Sequence, residues 1–311
     1  MASLAEIRAR LAQKAAQQSK TSTGDNASYA FWITPVGQTS TIRFLPDADE
    51  TNEFFWRERM VIKLPFVGVR GGDETKEVSV QVPCMQMWGE KCAVTEGIRD
   101  WWNGPQRELA RLYYRKKSYV FQGFVVNSGF EEAEVPANPI RRFVINESLY
   151  KIIYNTLMDG DIEDFVIDFE KGRDFRISVA KQGDYKSYGS SMFSMKTRAL
   201  TPAERQAIDT HGLHDLKEAL PAKPTAEQVQ AIEEMFHASV NGELYDADRF
   251  GAYYKPFGLK IDNKPANANR TASAPAVAID PEVAKYSIPA SDPTRTTAEI
   301  IAGLSRNRTA G

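Results

Sequence analysis

Short runs of β-favouring residues, separated by proline and glycine, constrain the fold of this chain more than any other feature. Residues 39–45, TSTIRFL, are typical, because the run ends at Pro46, which cannot donate to a sheet ladder. The expected strands cover residues 29–34, 39–45, 54–64, 76–82, 117–126, 140–145, 165–169 and 173–181. Many short strands with few helices between them predict a small barrel, closed or partly open.

Helix signals are concentrated late in the chain. Asn146 is a good N-cap for a helix over 147–158, which would plug one end of the barrel. Thr201 and Thr225 each begin a capping box, and the second is followed by a core-spaced apolar stripe that ends at Asn241. The expected fold class is therefore α+β, mainly β, with C-terminal helices.

The stretch 107–126 combines positive charge with aromatic rings. Its cations and rings are Arg107, Arg111, Arg115, Lys116, Lys117, Tyr113, Tyr114, Tyr119 and Phe121, with Glu108 as the single acid among them. Cations displace counterions from phosphate, and exposed rings stack on unpaired bases. The stretch therefore predicts a binding site for single-stranded nucleic acid. The alternative is a basic helix end leading into a core strand whose aromatic residues are all buried.

Alternation along 117–126 divides its side chains between two faces. Val120, Phe124 and Val126 point one way, and Tyr119 and Phe121 the other. If the first face fills the barrel, Lys117, Tyr119 and Phe121 line a cleft.

Residues 171–198 hold seven basic residues against two acids, whereas 120–170 holds ten acids against three basic residues. The net charge of −2 argues against a protein that coats nucleic acid with its whole surface. Alternating blocks of opposite sign instead predict one basic face on an acidic body. We expect 171–193 to form the second wall of the same cleft as 115–121.

The two ends of the chain differ from its centre. Residues 1–22 predict a basic amphipathic arm followed by a polar linker, and 261–311 predict a disordered tail. The arm's candidate self-association residues are Arg8, Arg10, Lys14 and Lys20. In the tail, Ile300, Ile301 and Leu304 form an apolar island that could dock on a partner.

Familiar catalytic motifs are missing from the sequence. It contains no phosphate-binding glycine loop, nucleophile elbow or metalloprotease helix, so an enzyme is not expected. Cys84 and Cys92 are the only cysteines, and two thiolates alone do not hold structural zinc. No secretory signal and no apolar run long enough to cross a bilayer is present.

Several segments in order resemble the single-stranded DNA-binding (helix-destabilising) proteins of T-even-type bacteriophages and their cyanophage relatives. They are TIRFLP at 41–46, RKKSY at 115–119 followed by FVV at 124–126, KGRDFRI at 171–177, an aromatic loop with Gly183, Tyr185, Tyr188 and Phe193, and the helical pattern from Thr225 to Phe257. The resemblance covers roughly residues 29–260.

This resemblance implies an OB-fold, a five-stranded oligonucleotide-binding barrel, within a core of residues 23–260, with a small subdomain around 54–104 and helices over 201–257. It also implies an arm that links neighbouring copies head-to-tail along DNA and a tail that recruits phage replication and recombination proteins. Many family members fold the subdomain around one histidine and three cysteines. This chain keeps only Cys84 and Cys92 in matching places, so no cofactor is expected, and zinc would require a degenerate form of that site.

The leading hypothesis is cooperative, sequence-independent binding of single-stranded DNA in phage replication, recombination and repair, in the cytoplasm of the infected bacterium and away from membranes. The expected DNA-binding residues are Arg111, Tyr113, Tyr114, Arg115, Lys116, Lys117, Tyr119, Phe121, Arg141, Arg142, Arg173, Arg176, Lys181, Tyr185, Lys186, Tyr188 and Phe193. One alternative is a nuclease or other nucleic-acid-modifying enzyme built on Asp164, Asp168 and Glu170. Another is a virion or interaction protein that binds acidic partners.

Overall fold

The computed structural model describes residues 27–132, 135–159 and 165–259. The strands in these ranges are β1 (Thr39–Leu45), β2 (Trp56–Phe66), β3 (Val78–Pro83), β4 (Lys116–Asn127), β5 (Ile140–Asn146), β6 (Arg173–Ser178), β7 (Ala180–Gln182), β8 (Tyr185–Ser187) and β9 (Met192–Thr197). The α-helices are α1 (Ala93–Gly97), α2 (Arg107–Tyr113), α3 (Glu147–Leu157), α4 (Pro202–His211), α5 (Ala226–Val240) and α6 (Ala247–Phe250). The described chain is therefore α+β and mostly β. None of its described helices has the length and apolar character needed to cross a membrane.

The main sheet is antiparallel and is organised around β4. Its strand order is β3-β2-β4-β1-β6-β9, and β5 pairs with β4 as a branch off this order. The first half of β4 pairs with β2, the second half pairs with β1, and β5 lies along the opposite edge. Among the described strands the sheet does not close into a barrel, and β7 and β8 form a separate hairpin.

The antiparallel pairing of β1 with β4 depends on a close backbone approach. A Cβ atom at Gly123 would lie 1.9 Å from the carbonyl oxygen of Arg43. Because real Cβ atoms do not come so near to an oxygen, glycine is required at this position in β4.

One face of the sheet encloses a hydrophobic cluster that we call the aromatic core. Its rings are Tyr29, Phe31, Phe44, Phe55, Tyr119, Phe121, Phe143, Phe175, Tyr188 and Phe193. Helix α3 seals this cluster with Leu149 and Ile153. The helix begins where Asn146 Oδ1 accepts a hydrogen bond from the Leu149 N–H, so the predicted N-cap is confirmed.

A second hydrophobic cluster, which we call the second core, lies beyond the far half of β2. Its main members are Ile62, Leu64, Phe66, Val80, Val82, Leu109, Tyr113, Ile232, Met235 and Phe236. Helix α5 supplies the last three, and the Thr225 capping box that begins it is confirmed, as is the Thr201 capping box that begins α4.

The opposite face of the sheet, which we call the outer face, is covered by residues 200–220. Leu200 packs with Leu45 and Phe124, while Val120 packs with Leu216. Tyr119, Phe121 and Val125 instead face the aromatic core. The condition for a cleft, that the face of Val120, Phe124 and Val126 alone fills the interior, is therefore not met, because Tyr119 and Phe121 are buried on the other face.

Two expected strands are not strands in the structure. Residues 29–34 contain the 3-10 helix Phe31–Ile33, and 165–169 form turns closed by hydrogen bonds from Asp168 N to Phe165 O and from Gly172 N to Asp168 O. Tyr29 and Phe31 in the first segment and Val166 and Ile167 in the second are core residues carried by turns, which short apolar runs do not distinguish from strands. The expected run 173–181 divides into β6 and β7. The predicted arm and tail lie outside the described residues, apart from the last part of the arm's linker.

Candidate nucleic-acid interface

Five of the rings expected to stack on bases are buried. Phe121, Tyr188 and Phe193 belong to the aromatic core, as does Tyr119. Tyr113 lies in the second core, where its hydroxyl pairs with Ser239 Oγ at 2.8 Å and burial raises its pKa to about 12. In the structure these side chains support the fold, and their contact with bases, which requires an open ring face, stays a prediction.

The ring face of Tyr119 is covered by a neighbouring aromatic side chain. It stacks on Tyr150 of α3 with ring centroids 3.5 Å apart and planes 9° apart. Burial, together with the charge of Glu58, raises the pKa of Tyr119 to about 12. The ring face that a base would use is therefore occupied by another ring.

The cations near the start of β4 are largely engaged. Lys117 Nζ lies 2.9 Å from Glu58 Oε1, and Arg111 Nη1 donates to Glu108 at 2.7 Å. The guanidinium of Arg115 lies 5.0 Å from the centroid of the ring of Tyr114, which is exposed. Lys116 is half-buried on the outer face, and burial lowers its pKa.

The two arginines of β5 point to opposite faces of the sheet. Arg141 is buried, with Nη1 2.9 Å from Glu132 and Nη2 donating to the Ser28 carbonyl oxygen at 3.1 Å. Arg142 is half-buried on the outer face, where burial lowers its pKa and the charge of Glu218 partly offsets that effect. Arg141 therefore contributes to the fold, whereas Arg142 lies opposite Gln122 on the outer face.

The strands β6 to β9 carry several exposed basic side chains. Arg176, Lys181 and Lys196 are exposed and form no ion pair with any residue that the structure describes. Tyr185 on β8 is 37% exposed, and Met192, exposed in β9, is paired in register with Arg176. We call these five residues the hairpin surface. It combines free cations with a ring and a thioether that bases can contact.

Two other predicted residues of this region hold the backbone together. Lys186 Nζ donates to the Trp32 carbonyl oxygen at 2.7 Å. Arg173 Nη1 donates to the carbonyl oxygens of Ser194 and Met195 at 3.2 and 2.6 Å. These side chains fix the loop and strand that carry the hairpin surface.

Lys116 and Arg176, from the two predicted walls of the cleft, lie near opposite ends of β4. Arg176 pairs in register with Thr41, which pairs with Asn127 at the end of β4, whereas Lys116 begins that strand. At a rise of about 3.3 Å per residue, the two ends of β4 are about 36 Å apart. Residues 200–220 cover the outer face between them. Lys116 and Arg176 therefore lie in two separate positive regions, and the two-walled cleft stays a prediction.

An aromatic row beside the start of β4 was missed from the sequence. Phe54, Trp56, Tyr150 and Tyr154 follow one another with ring-centroid separations of 4.9, 5.5 and 6.2 Å. Phe54 and Tyr154, at its two ends, are exposed. The signal in the sequence was the run FFW at 54–56, which is also typical of an ordinary core strand.

The two cysteines form a buried pair without further ligands. A hydrogen bond between the thiols lowers the pKa of Cys92 and raises that of Cys84. Within the described part of the chain, no group of three or more histidine, cysteine, aspartate or glutamate side chains could hold a metal ion. This donor set does not fit a structural zinc ion, which requires four ligands.

The carboxylates of the alternative nuclease site serve the local structure. Asp168 Oδ1 accepts hydrogen bonds from the backbone N–H groups of Glu170 and Lys171. Glu170 pairs with Arg205 at 2.6 Å, and Asp164 lies outside the described residues.

No protein-family model matches this chain, and no curated protein matches it either.

Proposed function

We propose that this protein binds single-stranded DNA without sequence preference and without catalysis. The observation that carries the proposal is the hairpin surface. There Arg176, Lys181 and Lys196 are exposed and form no ion pair with any described residue, on the same run of strands that carries Tyr185 and Met192. Cations that are not neutralised by protein carboxylates are available to phosphates, and a half-open ring is available to a base. Neither kind of interaction reads a base sequence.

The fold we propose for this function is an OB-fold with a small subdomain. In support, short antiparallel strands surround the aromatic core, and α3 seals one end of it. The subdomain would be the region around 54–104, whose apolar residues contribute to the second core. Proteins of the OB class present single strands along a sheet face and its loops. We likewise propose that the protein is related to the phage helix-destabilising proteins that its sequence resembles.

The ends of the chain complete the proposal. The arm, with Arg8, Arg10, Lys14 and Lys20, would link neighbouring copies along a strand and make coating cooperative. The tail, with Ile300, Ile301 and Leu304, would recruit replication and recombination proteins of the phage inside the infected bacterium. Both are proposals from the sequence, since these residues lie outside those the structure describes.

A titration against fluorescent oligo(dT) and a duplex of equal length, at several salt concentrations, tests the function. We expect tight binding of the single strand alone, with an affinity that falls steeply as salt rises. Arg176→Ala combined with Lys181→Ala should weaken binding and reduce the slope of log affinity against log salt by about 0.7 for each phosphate that the variant no longer neutralises. Lys223→Ala, whose partner is the exposed Glu90, is the matched control and should bind normally.

Three results would contradict the proposal. Equal affinity for duplex and single strand, or an affinity independent of salt, would exclude this mode of binding. Equal competition by a polyanion without bases, such as heparin, would favour a general binder of acidic partners instead.

A further inference from the structure

Arg59, the fourth residue of β2, is a buried cation that has no partner among the residues that the structure describes. The residue is 8% exposed, and its Nη1 atom is fully buried and makes no hydrogen bond. No ion pair to Arg59 occurs within the described residues. Burial alone lowers its pKa to about 10. A buried guanidinium left unpaired destabilises a fold, so this position favours a ligand of opposite charge.

The residue directly opposite Arg59 across the sheet is also polar, and among the described residues its hydroxyl has no hydrogen-bond partner. Ser118 of β4 is paired in register with Arg59, and its Oγ atom is buried without a hydrogen-bond partner. Lys116 lies two residues along β4 from Ser118 and therefore shares its face. The guanidinium of Arg59 and the hydroxyl of Ser118 thus lie opposite each other on the outer face near the start of β4. The ammonium group of Lys116 adds positive charge on the same face while it donates to the Arg111 carbonyl oxygen at 3.3 Å.

The acids of this region are used elsewhere. Glu58 precedes Arg59 and therefore points to the opposite face, where it pairs with Lys117. Asp47 and Asp49 are both bound by Arg57, which shares the face of Arg59. Glu218 acts on Arg142. The charge at Arg59 is thus left for an external anion.

This group of side chains fits one class of ligand. An arginine fork donates two parallel hydrogen bonds to a tetrahedral oxyanion, a serine hydroxyl adds a third, and a lysine adds charge. A cation would be repelled, and an apolar group would leave the polar atoms unsatisfied. Because Nη1 is the only nitrogen of Arg59 that is both fully buried and unpaired, the other edge of the guanidinium still reaches solvent and allows entry.

We propose that Arg59, Ser118 and Lys116 form a binding site for one phosphate group. That this group is a phosphodiester of a bound single strand rests on the proposed function; a free phosphate ion has the same chemistry. The site lies at the other end of β4 from the hairpin surface, so it gives a bound strand a second point of attachment.

The test compares the full-length protein with its Arg59→Met variant. Inorganic phosphate should raise the melting temperature of the wild type above that in sodium chloride of equal ionic strength. Arg59→Met should melt higher than the wild type without phosphate, because the unpaired charge is gone, and should lose the phosphate effect. Its affinity for oligo(dT) should fall about tenfold, and the salt slope should fall by about 0.7.

Two further variants keep the test decisive if Arg59→Met does not fold. Ser118→Ala should fold and reduce the phosphate effect, whereas Arg176→Met should weaken oligo(dT) binding and keep the phosphate effect intact. The site is overturned if phosphate does not stabilise the wild type, or if the phosphate effect persists in both Arg59→Met and Ser118→Ala. The proposed function fails separately, if the wild type does not bind oligo(dT); a phosphate effect that requires Arg59 would then identify a site for the free ion.

Discussion

Arg43 and Arg59 are both buried arginines on the outer face of the sheet, yet their surroundings differ. Arg43 Nη2 donates to the carbonyl oxygens of Asp168 and Arg198 at 2.6 and 3.1 Å, and Nη1 lies 3.7 Å from Asp174. Arg59 has no such partners among the described residues. The sequence presents both simply as basic residues in a strand, because burial and pairing depend on segments more than 100 residues away.

The first prediction concerns the glycine beside Arg43. A Cβ atom at Gly172 would lie 2.3 Å from Arg43 Nη2 and 2.4 Å from the Asp168 carbonyl oxygen. Gly172→Ala should therefore displace the guanidinium from its carbonyl partners and lower the free energy of unfolding by about 2–4 kcal/mol. Urea denaturation followed by circular dichroism measures the change.

Gly189→Ala is the control for this substitution. The atom nearest to a Cβ there is Ser187 Oγ at 3.6 Å, an ordinary van der Waals distance. The free energy of unfolding should change by less than about 1 kcal/mol. If both variants are equally stable, the close packing of Gly172 against Arg43 does not constrain the fold.

At the scale of elements, local signals predicted helices better than the faces of strands. The caps at Asn146, Thr201 and Thr225 act within four residues, and all three are confirmed. The faces of β4 depend on what covers each side, and residues 200–220 supply one cover from far along the chain. Because both faces are apolar, alternation alone could not decide between them.

Dependence on distant segments also explains why the sequence located only part of the candidate site. Sequence located the basic and aromatic stretches, and the hairpin surface retains Arg176, Lys181 and Tyr185 from that prediction. It could not show that Tyr119 is stacked on Tyr150, a residue that approaches only through the packing of α3. It also could not show that Lys116 and Arg176 lie near opposite ends of β4, since strand register is a property of the assembled sheet.

Helix α3 allows the same substitution to be tested in two contexts. Asn146→Ala removes the acceptor for the Leu149 N–H and should destabilise the protein by about 1 kcal/mol. Asn155→Ala, at an exposed position within the helix, should instead stabilise it by a few tenths of a kcal/mol, because alanine favours helix more than asparagine. Thermal denaturation of both variants checks the opposite signs. Equal shifts would contradict a capping role for Asn146.

At the scale of the whole molecule, β2 joins the two hydrophobic clusters. Its last residues, Ile62, Leu64 and Phe66, are buried in the second core. Its first residues pair with the half of β4 that carries Tyr119 and Phe121 into the aromatic core. Unfolding either cluster would therefore remove partners from the strand on which the other cluster depends, and we expect the two to be coupled.

The tryptophans provide a test of this coupling. Trp32 and Trp56 pack against the aromatic core, whereas Trp88, Trp101 and Trp102 pack against the second core. One variant keeps only the tryptophans that pack against the aromatic core, and the other keeps only those of the second core, with the rest changed to Phe. For each variant, tryptophan fluorescence and circular dichroism should give the same unfolding midpoint in guanidinium. Phe66→Ala, which removes a buried ring from the second core, should cost about 3–5 kcal/mol and lower the midpoint reported by both variants equally. A fall confined to the second-core reporters would mean that the clusters unfold independently, and that β2 does not transmit stability between them.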